Sequence, residues 1–160
     1  MSDMVCMGAT EMTLVADCVF CRIIRGEIPC FQISDDERTI AFMDINPVNP
    51  GHSLVVPKDH AESIYAIDGS FLRASMLVVQ KVARAVQRTF EPYGLNIVQA
   101  NGPGAAQSVP HFHWHVLPRA KDDGLPMNWP LRPGDMASIA AVAERLRQAL
   151  EADSHVHWGP

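Results

Sequence analysis

The stretch SVPHFHWHVLPR, from Ser108 to Arg119, repeats histidine at every second position. A period of two belongs to an extended strand, whose side chains alternate between faces. His111, His113 and His115 therefore share one face, and Phe112, Trp114 and Val116 share the other. At about 3.3 Å rise per residue, neighbouring imidazoles are rooted roughly 6.6 Å apart. The pattern predicts a half-buried strand with an apolar underside. Its upper face carries three rings spaced to meet a metal, or a phosphate and its leaving group.

The remaining elements are predicted from periodicity and turn chemistry. Phe20, Ile23 and Ile24 suggest a short helix capped by Asp17 and ended by Gly26 and Pro29. CFQIS and RTIAFMD read as strands joined by DDE, and HSLVVPK as a third strand after the loop NPVNPG. DHAESIYAI reads as a short helix capped by Asp59. SFLRASMLVVQKVARAVQRTF gives the longest helical signal, with Leu72, Met76, Val79, Val82, Ala83 and Val86 in one stripe. LNIVQAN is a fourth strand, the histidine stretch a fifth, and DMASIAAVAERLRQALEA a C-terminal helix after Pro133-Gly134-Asp135. Strands gathered around one long helix predict an α+β domain with a five-stranded antiparallel sheet. Residues 1–16 are expected to be a tail or arm, 17–120 the central domain, and 121–160 a helix and tail completing it.

The 160 residues suffice for one domain with a real core. A formal charge of −5 lacks the basic face that duplex nucleic acid or an anionic membrane calls for. No segment reaches the roughly 20 apolar residues of a membrane helix, and the opening residues make a poor signal peptide, so the cytoplasm is expected. In that compartment Cys6, Cys18, Cys21 and Cys30 read as thiols or metal ligands rather than disulfides. Cys18 and Cys21, in CVFC, can face one metal; redox activity and buried free thiols are the competing readings.

Several ordered blocks go further than any single motif. CVFCRIIRGEIP, AFMDINPVNPGHSLVVPKDH and LNIVQANG…AQSVPHFHWHVLPR together resemble the histidine triad (HIT) family of nucleotide hydrolases and transferases, from about Asp17 to Arg119. The resemblance implies that His113 attacks the α-phosphorus of a nucleotide and forms a nucleotidyl-histidine intermediate. Neutral imidazole suits this role near pH 7 without a strong base. It implies that His115 contacts the α-phosphate and that Ser108 donates to phosphate or leaving group. Loop N–H groups around Gln107 and Ser108 would then steady the non-bridging oxygens.

By the same resemblance Asp44 accepts hydrogen bonds from the ribose hydroxyls, Phe20, Ile23 and Ile45 sandwich the base, and His52 supports the triad. In the zinc-bearing bacterial branch, His60 and His111 join Cys18 and Cys21 around a structural zinc with no open position. A purine nucleotide substrate and a two-fold homodimer built on the long helix are also implied. His155 and His157 are read as a terminal segment reaching a neighbouring subunit. Two departures stand out. Ala100 and Ala106 occupy positions where relatives usually carry Asn or Gln, and Gly. Because alanine adopts φ > 0 at a cost, the phosphate loop is expected to be shaped differently.

The leading expectation is a hydrolase of nucleoside phosphoramidates or dinucleoside polyphosphates. A nucleotidyltransferase and a nucleotide-binding module of weak activity are the alternatives. His115 argues against the uridylyltransferase type, which usually carries Gln there.

Overall fold

Five strands, each antiparallel to its neighbours, form one sheet in the order β1-β2-β3-β5-β4. The strands are β1 (Gln32–Asp35), β2 (Thr39–Met43), β3 (Ser53–Pro57), β4 (Gly94–Gln99) and β5 (Trp114–Arg119). The helices are α1 (Val19–Ile24), α2 (Gly69–Phe90) and α3 (Met136–Asp153). These come from a computed structural model that describes residues 12–126 and 132–153. Cys6, His155 and His157 lie outside the described residues. The chain divides between Asp123 and Gly124 into two compact units. The sheet, α1 and α2 form the first. In the second, Asp135 accepts from the Ser138 N–H at 2.8 Å and so opens α3.

The α+β expectation holds, with five antiparallel strands, and the local differences have physical causes. α1 begins at Cys18, without a side-chain cap from Asp17, because Cys18 itself stands at the N-cap position. Gly26 does close that helix, at φ 75°. The segment after β3 is not helical. Its polar groups are used elsewhere: Asp59 Oδ1 accepts from the Thr13 N–H at 2.6 Å, the Ala61 carbonyl takes the Phe112 N–H, and the Glu62 carbonyl takes the Gln107 amide. Helical propensity yields to these bonds, which tie residues 12–16 and the histidine stretch to one loop.

α2 packs on the sheet through Phe71, Ser75, Val78, Val79, Val82 and Val86. The stripe is thus rotated from the expected one: Met76 is exposed, and Phe71, Ser75 and Val78 take the inner positions. Ser75 fits because its hydroxyl donates to the Leu72 carbonyl and accepts from the Trp114 indole at 3.0 Å. Under β5, Phe112 packs with Ala61, Ile67 and Phe71, while Val116 joins the valines of α2. This is the predicted apolar underside.

Candidate functional site

The ladder of β5 begins at Trp114, so His111 and His113 sit on an extended lead-in rather than in the strand. The alternation survives because Phe112 is fully buried and its N–H is held by the Ala61 carbonyl at 2.6 Å. The three rings nevertheless meet different partners, and these separate their chemistry.

His113 Nδ1 lies 2.6 Å from the carbonyl oxygen of His111. Only an N–H can face a carbonyl at that distance, so Nδ1 carries the proton and Nε2 keeps its lone pair. The ring is 3% exposed, contacts the edge of Phe20 at 5.1 Å between centroids, and lines a cavity. Burial lowers its pKa below the ordinary histidine value, which favours the neutral ring.

A relay of rings sets the opposite tautomer on His115. The Val48 N–H donates to His52 Nδ1 at 3.3 Å, which leaves the proton of His52 on Nε2. That Nε2 lies 2.9 Å from His115 Nδ1 and 3.4 Å from Asp44 Oδ2. His115 Nδ1 is therefore an acceptor and its Nε2–H a donor. Two neutral imidazoles thus offer a lone pair and a donor side by side, 4.9 Å apart between ring centroids. Burial, reinforced by the neighbouring rings of His113 and His52, pushes the His115 pKa down to about 4.

That depression makes stability depend on pH. Between His115's ordinary value of 6.5 and its folded value of about 4, the unfolded chain binds the extra proton. Stability is therefore complete above pH 6.5 and lost as the pH falls toward 4. From pH 7 to pH 5 the loss is expected to be on the order of 2 kcal/mol, read as a falling denaturant midpoint. His115→Asn should flatten that slope; an unchanged slope would show that the ring titrates normally when folded.

The cavity beside these rings has a volume of about 260 Å³. Phe20, Ile23 and Ile45 line it as the sequence suggested, together with Asp44, Ser108, His113 and His115. The sequence reading missed Cys30, Phe42 and Leu54 on its walls. Phe42 and Leu54 are cross-strand partners of β2 and β3, so their shared face was available from the strand alternation. Asp44 is fixed by the Asn46 N–H, which donates to Oδ1 at 2.8 Å, leaving the carboxylate facing the cavity as an acceptor.

Gln107 holds the loop. Its Oε1 accepts from the Gly102 N–H at 2.7 Å, and its Nε2 donates to the carbonyls of Glu62 and Val109 at 2.7 and 3.0 Å. Its own N–H is taken by the Gly102 carbonyl at 3.2 Å. Gln107 therefore positions Ser108, which faces the cavity.

Ala106 adopts φ 58°, ψ 33°, a left-handed turn whose strain the alanine bears. A non-glycine residue in this region costs about 1 kcal/mol or more. Ala106→Gly should raise the melting temperature by about 2–4 °C at that energy, and a fall on calorimetry would count against the strained turn.

Cys18, Cys21, His60 and His111 gather their ligand atoms into one cluster. The separations are 3.4 Å for Cys18 Sγ–His111 Nδ1, 3.4 Å for Cys21 Sγ–His60 Nδ1, 3.6 Å for Cys21 Sγ–His111 Nδ1 and 3.2 Å for His60 Nδ1–His111 Nδ1. Tetrahedral zinc, with bonds of about 2.3 Å to sulfur and 2.05 Å to nitrogen, sets S···N near 3.6 Å and N···N near 3.3 Å. The residues fit zinc. His111 Nε2 lies 2.9 Å from the Pro57 carbonyl and donates to it, which leaves Nδ1 free to coordinate.

A family model described as "HIT domain" matches residues 25–122. The chain is similar to a HIT family protein of Bacillus anthracis, with a TM-score of 0.79 and 35% identity over 84% of this chain and 97% of that one. It is 36% identical over 141 residues to an adenosine 5'-monophosphoramidase of Candida albicans, covering 84% of this chain and 92% of the relative. A zinc-bound histidine triad family protein of Mycobacterium smegmatis shares the fold at a TM-score of 0.64 and 32% identity, covering 85% and 97% of the two chains.

Proposed function

Because this chain belongs to the HIT family, we propose that it hydrolyses nucleoside phosphoramidates or dinucleoside polyphosphates at the α-phosphate. The opposed tautomers of His113 and His115 carry this reading. A nucleotidyltransferase would use the same nucleophile, but the donor on His115 supports hydrolysis by holding phosphate while water enters.

His113 Nε2 directs its lone pair at the α-phosphorus. As that N–P bond forms, the bond to the leaving group breaks; its electron pair departs with the leaving group, which takes a proton from Ser108 or from solvent. Water then attacks the phosphorus and gives up a proton to Ser108 or to solvent, whichever supplied the leaving group's proton. The N–P bond breaks, and the neutral imidazole returns with nucleoside monophosphate as product. The proton on His113 Nδ1 stays against the His111 carbonyl, which spreads the positive charge of the intermediate. Asp44 takes the ribose hydroxyls, and Phe20, Ile23 and Ile45 enclose the base, a flat apolar slot suited to purines.

Cys18, Cys21, His60 and His111 hold a structural zinc in this reading, away from the reacting phosphorus. The ion would anchor His111, whose carbonyl orients His113. A two-fold homodimer is supported by the edge position of β4 among the described strands and by the exposed Met76 and Leu77 of α2. Among the described residues, no helix is long and apolar enough to cross a membrane, and thiol ligands suit a reducing cytoplasm.

Incubation with adenosine phosphoramidate tests the reading. Release of adenosine monophosphate is expected, with a quenched sample carrying the nucleotide on His113; an adduct on another residue would overturn the assignment.

A further inference from the structure

Cys18 and Cys21 share one cluster but not one environment. Cys21 is fully buried, and the Val15 N–H donates to its sulfur at 3.3 Å. Val15 belongs to a strap, residues 13–16, that is fastened at both ends. The Thr13 N–H donates to Asp59 Oδ1 at 2.6 Å, and the Thr13 carbonyl accepts from the His60 N–H at 2.9 Å. The Ala16 carbonyl accepts from Arg25 Nη2 at 3.2 Å. Cys18 follows the strap and keeps 8% exposure between the exposed Asp17 and Val19. Among the described residues, no backbone N–H donates to its sulfur. Access and nucleophilicity set the rate of thiol–disulfide exchange, so Cys18 is the sulfur that reacts first with a reagent from solution.

The local fold then supplies a second sulfur. Cys18 stands at the N-cap of α1 and Cys21 lies one turn later. The helical residues between them set their Cα atoms about 5 Å apart, inside the roughly 4.4–6.8 Å that a disulfide spans. Their sulfurs belong to the cluster whose ligand atoms all lie within 4.8 Å of one another. Burial protects Cys21 from solution but not from its neighbour.

We infer that Cys18 is a site of reversible modification by low-molecular-weight disulfides, with Cys21 as the resolving thiol. This rests on the zinc reading above and extends it to release of the metal. Cys18 Sγ attacks one sulfur of the small disulfide; that S–S bond breaks and one small thiolate leaves. Cys21 Sγ then attacks Cys18 Sγ, the mixed S–S bond breaks, and the second small thiolate leaves. The cysteine pair loses two electrons and the small disulfide gains them. Thiolates enter and thiolates leave, so no proton is required. The Cys18–Cys21 bond leaves His60 and His111 as the remaining ligands, too few for a four-coordinate site. His111, whose carbonyl lies 2.6 Å from His113 Nδ1, then loses its anchor. The reacting ring is thereby coupled to the redox state of small thiols.

Zinc-loaded full-length protein incubated with oxidised glutathione tests this. One zinc per chain should pass to a chromogenic chelator, and peptide mapping should find the Cys18–Cys21 disulfide. Dithiothreitol with added zinc should reverse both changes, and Cys6→Ser/Cys30→Ser should behave as the parent does. Cys21→Ser should gain a glutathione adduct on Cys18 about tenfold faster than Cys18→Ser gains one on Cys21; equal rates would remove Cys18 as the entry point. The parent's peptide map decides the matter whether or not the single variants fold. Zinc retained with both thiols reduced, or glutathione held only by Cys6 or Cys30, overturns the inference and leaves the zinc reading standing. Protein that takes up no zinc when it is supplied removes both.

Discussion

Replacing His113 with alanine should reduce turnover of adenosine phosphoramidate by roughly 10⁴-fold or more, the scale seen when a covalent nucleophile is removed. The substitution deletes the lone pair that His113 Nε2 presents to the cavity, and no neighbour can supply it. His115 cannot, because His52 Nε2 donates to its Nδ1 at 2.9 Å and its Nε2 carries the proton. His111 cannot, because its Nε2 is occupied by the Pro57 carbonyl and its Nδ1 faces the cysteines. The fold should survive. His113 borders a cavity rather than a sealed core, so alanine enlarges an open space, and the lost bond to the His111 carbonyl costs about 1 kcal/mol. Nucleotide binding should persist, because Asp44 and the apolar slot are untouched. Measured kcat with nucleoside monophosphate affinity separates the roles: equal turnover by mutant and parent would remove the nucleophile assignment. Lost binding with unchanged chemistry on saturating substrate would recast His113 as a binding group.

The roles of the three histidines were legible in the sequence to unequal degrees. Their common face followed from a period of two, and it held even where the ladder had not begun, because Phe112 anchors the underside. A backbone carbonyl fixing the His113 tautomer is expected from its role, and the His111 carbonyl supplies it; the tautomers of His52, His111 and His115 were not legible, since they depend on the Val48 N–H and the Pro57 carbonyl, backbone groups that no side-chain pattern encodes. The same limit explains the absent helix after β3. Its carbonyls serve Phe112 and Gln107, partners about fifty residues away that local propensity does not weigh. The face of α2 was displaced because Ser75 counts as polar in a stripe, yet Trp114 satisfies it in the core. Ala106 differs again: that alanine adopts φ > 0 only at a cost was legible, but not that the hydrogen bonds of Gln107 hold the turn there while the backbone absorbs that cost.

Removing zinc should destabilise the first unit substantially while leaving the sheet residues unchanged in sequence and partner. Four ligand atoms converge from three distant parts of the chain: Cys18 and Cys21 at the start of α1, His60 after β3, and His111 before β5. Without a cation the cluster is poorly matched, since burial pushes the Cys21 thiol above its ordinary range and two imidazole nitrogens face each other at 3.2 Å. A cation relieves both by accepting all four lone pairs, so its binding free energy becomes folding free energy. If free zinc stands about 1,000-fold above its dissociation constant, mass action gives about 4 kcal/mol, or a melting shift of about 8–16 °C for a chain of this size. Purified protein should contain one zinc per chain, and chelation should lower the melting temperature by that amount. Cys21→Ser and His60→Ala should reproduce the fall and lose the metal. Activity should decline with them, since the His111 carbonyl that orients His113 would lose its anchor. A protein that holds no zinc in metal analysis and melts identically with and without chelator would reduce the cluster to a set of buried thiols and rings.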